Sequence, residues 1–127
     1  MLIEFRPGDR MTATYALVLL DKALTDVRQK LEMLTIDSTI VQKEQGCCEM
    51  AMSTLEETGT EVELTHIEAQ SLRLALRLYY AKLAELLKAE AKLLIEVTTT
   101  EGRMAAIDDL IIRLGGQTTL KLEVTVT

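Results

Sequence analysis

The stretch Thr65–Leu93, THIEAQSLRLALRLYYAKLAELLKAEAKL, decides how this chain is read. It opens with Thr65 and Glu68 at the spacing of a capping box. In that motif the threonine oxygen accepts the amide proton three residues on, and the glutamate reaches back to the threonine amide. Ala69, Leu72, Leu76, Tyr79, Leu83 and Leu86 then recur at alternating steps of three and four, and Ala75, Leu78 and Leu87 widen the stripe. No proline or glycine interrupts it. A helix of roughly 28 residues is about 42 Å long, more than most small domains are thick. The spacing therefore predicts that one end packs on something other than the chain's own sheet.

A second helix precedes it. Ala13, Leu17, Leu20, Leu24, Val27, Leu31 and Leu34 repeat at four and three, which predicts a helix from about Arg10 to Met33 or Leu34. The β-branched run Thr35–Val41 weakens helix, and Asp37 or Ser38 suits a new cap, so a break falls at 35–38. A further helix then spans about Thr39 to Glu57, weakened by Gly46 and ended by Gly59. The rival is one long bent helix, since the heptad frame continues through Val41, Cys48, Met52 and Leu55.

Four stretches read as strands: Leu2–Phe5, Glu61–Leu64, Leu94–Thr99 and the alternating Leu120–Val126. Arg6-Pro7-Gly8-Asp9 is a turn, and Glu101–Leu114 is a short amphipathic helix stopped by Gly115-Gly116. Strand, helix, strand at the C-terminal end implies a right-handed βαβ unit with parallel neighbours. The expected fold is α+β or small α/β, a single domain over 1–127, with long amphipathic helices packed on a three- to four-stranded sheet. Because the helices outrun such a sheet, a second copy of the chain is the expected cover for their stripes. The interface would use Leu72, Leu76, Tyr79, Leu83 and Leu86 with Leu17, Leu20 and Leu24.

Composition narrows the function. The 127 residues are 48% hydrophobic with mean hydropathy +0.15, enough for a packed core. Aromatic side chains are confined to Phe5, Tyr15, Tyr79 and Tyr80, which leaves few platforms for stacking bases. The net charge is −6, and between Asp37 and Glu63 seven acids face Lys43 alone, so the excess sits in one section. A basic nucleic-acid footprint is missing. The acidic section suits a basic protein partner, though a solvated face that aids solubility is the preferred reading. Met1–Arg6 does not read as a signal peptide, and the longest apolar run, Tyr15–Leu20, is far too short for a membrane span. With two adjacent cysteines and no disulfide framework, the cytoplasm is the expected compartment.

Chemistry-bearing residues are sparse. His66 is the single histidine and has no cysteine or second histidine at metal-ligand spacing, so no metal is expected. Cys47-Cys48 with Met50 and Met52 reads as core filling, because helical neighbours diverge by about 100° and do not chelate together. Glu56-Glu57 and Asp108-Asp109 diverge for the same reason and make no acid/base pair. No nucleophile, phosphate-loop or dinucleotide motif is present, and no cofactor is expected. If the first three strands run parallel, their carboxyl ends gather Arg6, Arg10, His66, Thr99, Thr100, Gly102 and Arg103 around a helix N-terminus. That set suits a small phosphorylated ligand. The expectation is a non-enzymatic, self-associating binding protein: a scaffold, an inhibitor or a small-ligand-sequestering protein. The alternative is a small-molecule enzyme with an anion site between subunits, using His66 as acid/base and the arginines as clamps.

Overall fold

The structure, a computed structural model, describes residues 1–57, 59–93 and 97–116, and the side chains of 89–99 fall outside that description. Its elements run β1 (Leu2–Glu4), α1 (Asp9–Met33), α2 (Thr39–Leu55), β2 (Glu61–Glu63), α3 (His66–Leu93) and α4 (Val97–Arg113). The helix α3 lies at the centre and packs against α1, α2 and α4. Buried Leu72, Ala75 and Leu76 of α3 share a core with Ala13, Leu17 and Leu20 of α1. Cys48, Ala51 and Leu55 of α2 and Ile107, Leu110 and Ile111 of α4 complete it.

Local chemistry explains each boundary. Arg6-Pro7-Gly8-Asp9 closes with an Asp9 N–H to Arg6 carbonyl bond of 3.0 Å, and Gly8 supplies the positive φ of +88° that proline's partner position in a type II turn requires. The left-handed turn at the end of α1 falls on Thr35, φ +57°, with Thr35 N–H on Glu32 O at 3.1 Å and Ile36 N–H on Leu31 O at 2.8 Å. Asp37 then accepts the Thr39 amide at 3.0 Å and starts α2. The break at 35–38 is therefore real, and the single bent helix is not formed. Gly115 and Gly116 end α4 in the same way, by bonds of 2.9 Å to Ile112 O and Ile111 O.

The capping box at α3 is formed, with Thr65 N–H to Glu68 Oε1 at 3.0 Å and Glu68 N–H to Thr65 Oγ1 at 3.1 Å. The Thr54 hydroxyl adds a bond to Glu68 Oε2, so one carboxylate ties the end of α2 to the start of α3. Burial pushes the Glu68 carboxyl up, but the bonds from Thr54 and Thr65 outweigh it and hold the group below its ordinary value. A depressed carboxylate contributes stability that is fully present above its ordinary value of 4.5 and is lost as pH falls through the lower, folded value. Glu68→Gln is expected to cost about 1 kcal/mol at pH 7. Urea unfolding across pH 3–7 checks this: the gap between wild type and variant should narrow on acidification, and a constant gap counts against the ionised cap.

The sheet departs from expectation. It has two strands among the described residues, and they pair antiparallel as Leu2↔Glu63, Ile3↔Val62 and Glu4↔Glu61. The third expected strand, Leu94–Thr99, is overturned where it is described: Val97–Thr100 form the first turn of α4. Their β-branched side chains favour strand, yet Thr100, Met104, Ile107, Ile111 and Leu114 step at four, three, four, three. Thr100 is buried, so tertiary packing extends the helical stripe back one turn. Residues 94–96 and the expected strand Leu120–Val126 lie outside the described residues. Among the described residues no strand directly precedes α4, so the expected βαβ unit does not fit. Over those residues the protein is a helical bundle carrying a small two-stranded antiparallel sheet, rather than helices laid on a three- to four-stranded one.

Candidate ligand groove

The antiparallel pairing separates the residues expected to converge. Arg6 follows β1 at the end where Phe5 N–H meets Thr60 O at 2.6 Å, whereas His66 follows β2 at the opposite end, where Leu64 N–H meets Met1 O at 2.8 Å. Arg6 pairs with Asp109 at 3.2 Å. Arg10 donates to Leu55 O at the end of α2 and to Gly59 O at 2.6 Å, and its guanidinium lies 5.5 Å from the Phe5 ring centroid. It serves as a cap for α2 and as a cation over an aromatic face. His66 is exposed. Thr99, Thr100 and Gly102 lie inside α4, which begins at Val97, so the Gly102 amide sits beyond the first turn and is spent within the helix. Of the set, Arg10 borders the more open surface along α1, and Arg103 lines the cavity between α1, α3 and α4.

That cavity is an apolar groove of about 430 Å³ between α1, α3 and α4. Met11 and Tyr15 line it from α1, Tyr79, Leu83 and Leu86 from α3, and Arg103 and Ile107 from α4. Leu83 and Ile107 are buried, and Met11, Tyr15 and Leu86 are exposed. The Tyr15 and Tyr79 rings lie 5.0 Å apart, tilted by 58°, within the range of favourable aromatic pairs. Arg103 is the single charged side chain among the described lining residues. A shallower apolar surface continues along α1 over Thr14 and Val18. Met11, Tyr15 and Val18 recur at four and three, off the main heptad frame. This second stripe was the sequence signal that marked the groove.

The residues expected at an interface between copies fall mostly inside the chain. Leu17, Leu20, Leu72, Leu76 and Leu83 are buried, and Leu24 and Tyr79 pack partly buried against the same core. Leu86 is the exposed member. The stripes are covered by the four helices of one chain, so they no longer require a second copy.

Beside the groove, a polar cluster fixes α4 against α1. Arg113 donates to Asp9 Oδ2 at 2.7 Å, Asp109 Oδ2 at 3.0 Å and Glu4 O at 2.8 Å, and Asp9 also accepts the Arg6 amide at 2.8 Å. Burial opposes the guanidinium charge, but the hydrogen bonds and charges of Asp9 and Asp109 outweigh it and raise the Arg113 pKa. Cys48 is buried with its Sγ 3.2 Å from Leu17 O. Burial, then the charges of Asp21 and Glu49, push its thiol up to about 11. The seven acids between Asp37 and Glu63 are all exposed, as a solvated acidic section requires. No cluster of His, Cys, Asp and Glu suited to a metal occurs among the described residues, and no described helix is long and apolar enough to cross a membrane.

No protein-family model, curated protein or solved structure matches the chain.

Proposed function

We propose that this is a non-enzymatic binding protein whose α1/α3/α4 groove takes a small amphiphile with an apolar body and an anionic group. The observation that carries the reading is the groove itself. Its floor is buried Leu83 and Ile107, its side is the Tyr15–Tyr79 pair, and its charged liner among the described residues is Arg103. A volume of about 430 Å³ is that of a small-molecule site, and mostly apolar walls with one placed cation select an acidic amphiphile over a free phosphate. The alternative, a small-molecule enzyme with an anion site between subunits, draws less support from a single chain, where the antiparallel sheet puts Arg6 and His66 at opposite ends. Two free cysteines suit a reducing compartment such as the cytoplasm.

The test is a titration with anilinonaphthalene sulfonate, followed by fluorescence anisotropy, beside a neutral phenylnaphthylamine of similar shape. Saturable binding of the sulfonate should weaken about five- to tenfold in Arg103→Glu, the scale of a partly exposed charge contact. The neutral analogue should be unaffected by that change. Equal weakening of both dyes, or of neither, rejects the assignment.

A second copy of the chain is the rival occupant, favoured by the exposed stripe Met11, Tyr15 and Val18. Concentration-dependent sedimentation that disappears in Val18→Glu supports that reading instead.

A further inference from the structure

A second cavity, of about 340 Å³, lies between α2 and α3 and differs in kind from the groove. Glu44 and Cys47 line it from α2, and Gln70, Ser71, Arg73 and Arg77 line it from α3. Two guanidinium groups against one carboxylate make it a cationic cleft on a chain of net charge −6. Arg77 Nε is shut off from solvent with no hydrogen-bond partner, a donor whose desolvation is not compensated within the described residues. Ser71 is buried at 4% exposure. Arg73 is anchored through a 2.7 Å bond from its Nη1 to Leu114 O. The two cysteines have separate surroundings. Cys48 is enclosed in the core, whereas Cys47 is half-buried and opens on this cleft.

We propose that the α2/α3 cleft is a thiol–disulfide exchange site, at which Cys47 forms a mixed disulfide with a small disulfide bearing carboxylates. The Cys47 thiol releases its proton to solvent, and the thiolate attacks one sulfur of the incoming disulfide. The original S–S bond breaks as the Cys47–S bond forms, and the other half leaves as a thiolate that takes a proton from water. The incoming disulfide is the oxidant, and no other is required. Arg73 and Arg77, one helical turn apart on α3, attract and position the carboxylates. Selectivity therefore comes from the charge of the disulfide and not only from exposure of the thiol.

The experiment measures intact mass against time with three disulfides at pH 8: anionic oxidised glutathione, neutral hydroxyethyl disulfide and cationic cystamine. Each rate is normalised to the same reagent's rate with 2-mercaptoethanol, an uncharged thiol. Oxidised glutathione should lead the neutral reagent by about tenfold and cystamine should trail, with one adduct per chain and none in Cys47→Ser. In 0.5 M NaCl the ordering should collapse towards equality, as charge attraction is screened. Arg77→Gln should bring the ratio of the oxidised glutathione rate to the hydroxyethyl disulfide rate close to one. The salt series supplies the test should that variant fold poorly. Equal normalised rates for the three reagents overturn the proposal, as does an adduct that persists in Cys47→Ser.

Discussion

Leu76→Ala should destabilise the protein by about 3 kcal/mol and lower its melting temperature by about 10 °C, with no change in subunit count. Leu76 sits in the central α3 with no exposed surface, enclosed by the cluster that α1, α2 and α4 share. Truncation removes three carbons from water-free surroundings and leaves a void that four packed helices fill only in part. The same residue was expected at an interface between copies, and the two placements give opposite signatures. A core residue yields a loss of stability that does not depend on protein concentration. An interface residue yields a shift in association, with unfolding that becomes concentration-dependent. Urea titrations at concentrations a hundredfold apart, with sedimentation velocity alongside, separate them: coincident curves place Leu76 in the core, and diverging curves return it to an interface.

The contrast shows what the pattern of residues conveys. Helix ends were legible because their signals are local. The Thr65–Glu68 box, the Pro7-Gly8 turn, the break before Asp37 and the Gly115-Gly116 stop each act within a few residues, and all four are realised. The apolar stripes were legible as buried faces, but a stripe does not say which surface covers it. Leu17 and Leu72 carry the same periodicity whether they meet a neighbouring helix or a second chain. What decides is whether the four helices close on one another or are laid on a sheet, and the expected sheet rested in part on Val97–Thr100. Their β-branched side chains argued for strand, and the burial of Thr100 on the stripe of α4 prevailed. The gathering of Arg6, Arg10 and His66 failed at the first two strands themselves, which pair antiparallel and put Arg6 and His66 at opposite ends. Arg103 remained at a site because it belongs to α4, whose position does not depend on the sheet.

Replacing Arg113 with alanine should cost about 2–3 kcal/mol and should also weaken ligand binding in the groove, although Arg113 does not line it. The side chain is 21% exposed and joins Asp9, Asp109 and the Glu4 carbonyl, so its removal leaves the largely buried Asp9 carboxylate with the Arg6 amide and no cation. Removing one partner of a fully buried pair costs about 3–5 kcal/mol, and partial exposure reduces that here. Arg113→Lys should recover part of the loss, since an ammonium keeps the charge but cannot reach all three acceptors in the fixed geometry of the guanidinium. A double-mutant cycle with Asp9→Asn should return a coupling of about 1–2 kcal/mol, and a coupling near zero would show the contact to be incidental. The link to the groove is geometric. Asp9 begins α1, which brings Met11 and Tyr15, and Arg113 ends α4, which brings Arg103 and Ile107. The ion pair thus holds two walls of the groove in register, because α4 is a single rigid helix between Arg103 and Arg113, about 15 Å of axis. Loosening its far end costs pre-organisation on binding, so dye affinity should fall a few-fold in Arg113→Ala and recover in Arg113→Lys. An Arg113→Ala protein that is destabilised yet binds the sulfonate dye with wild-type affinity would separate the clamp from the groove and confine Arg113 to stability.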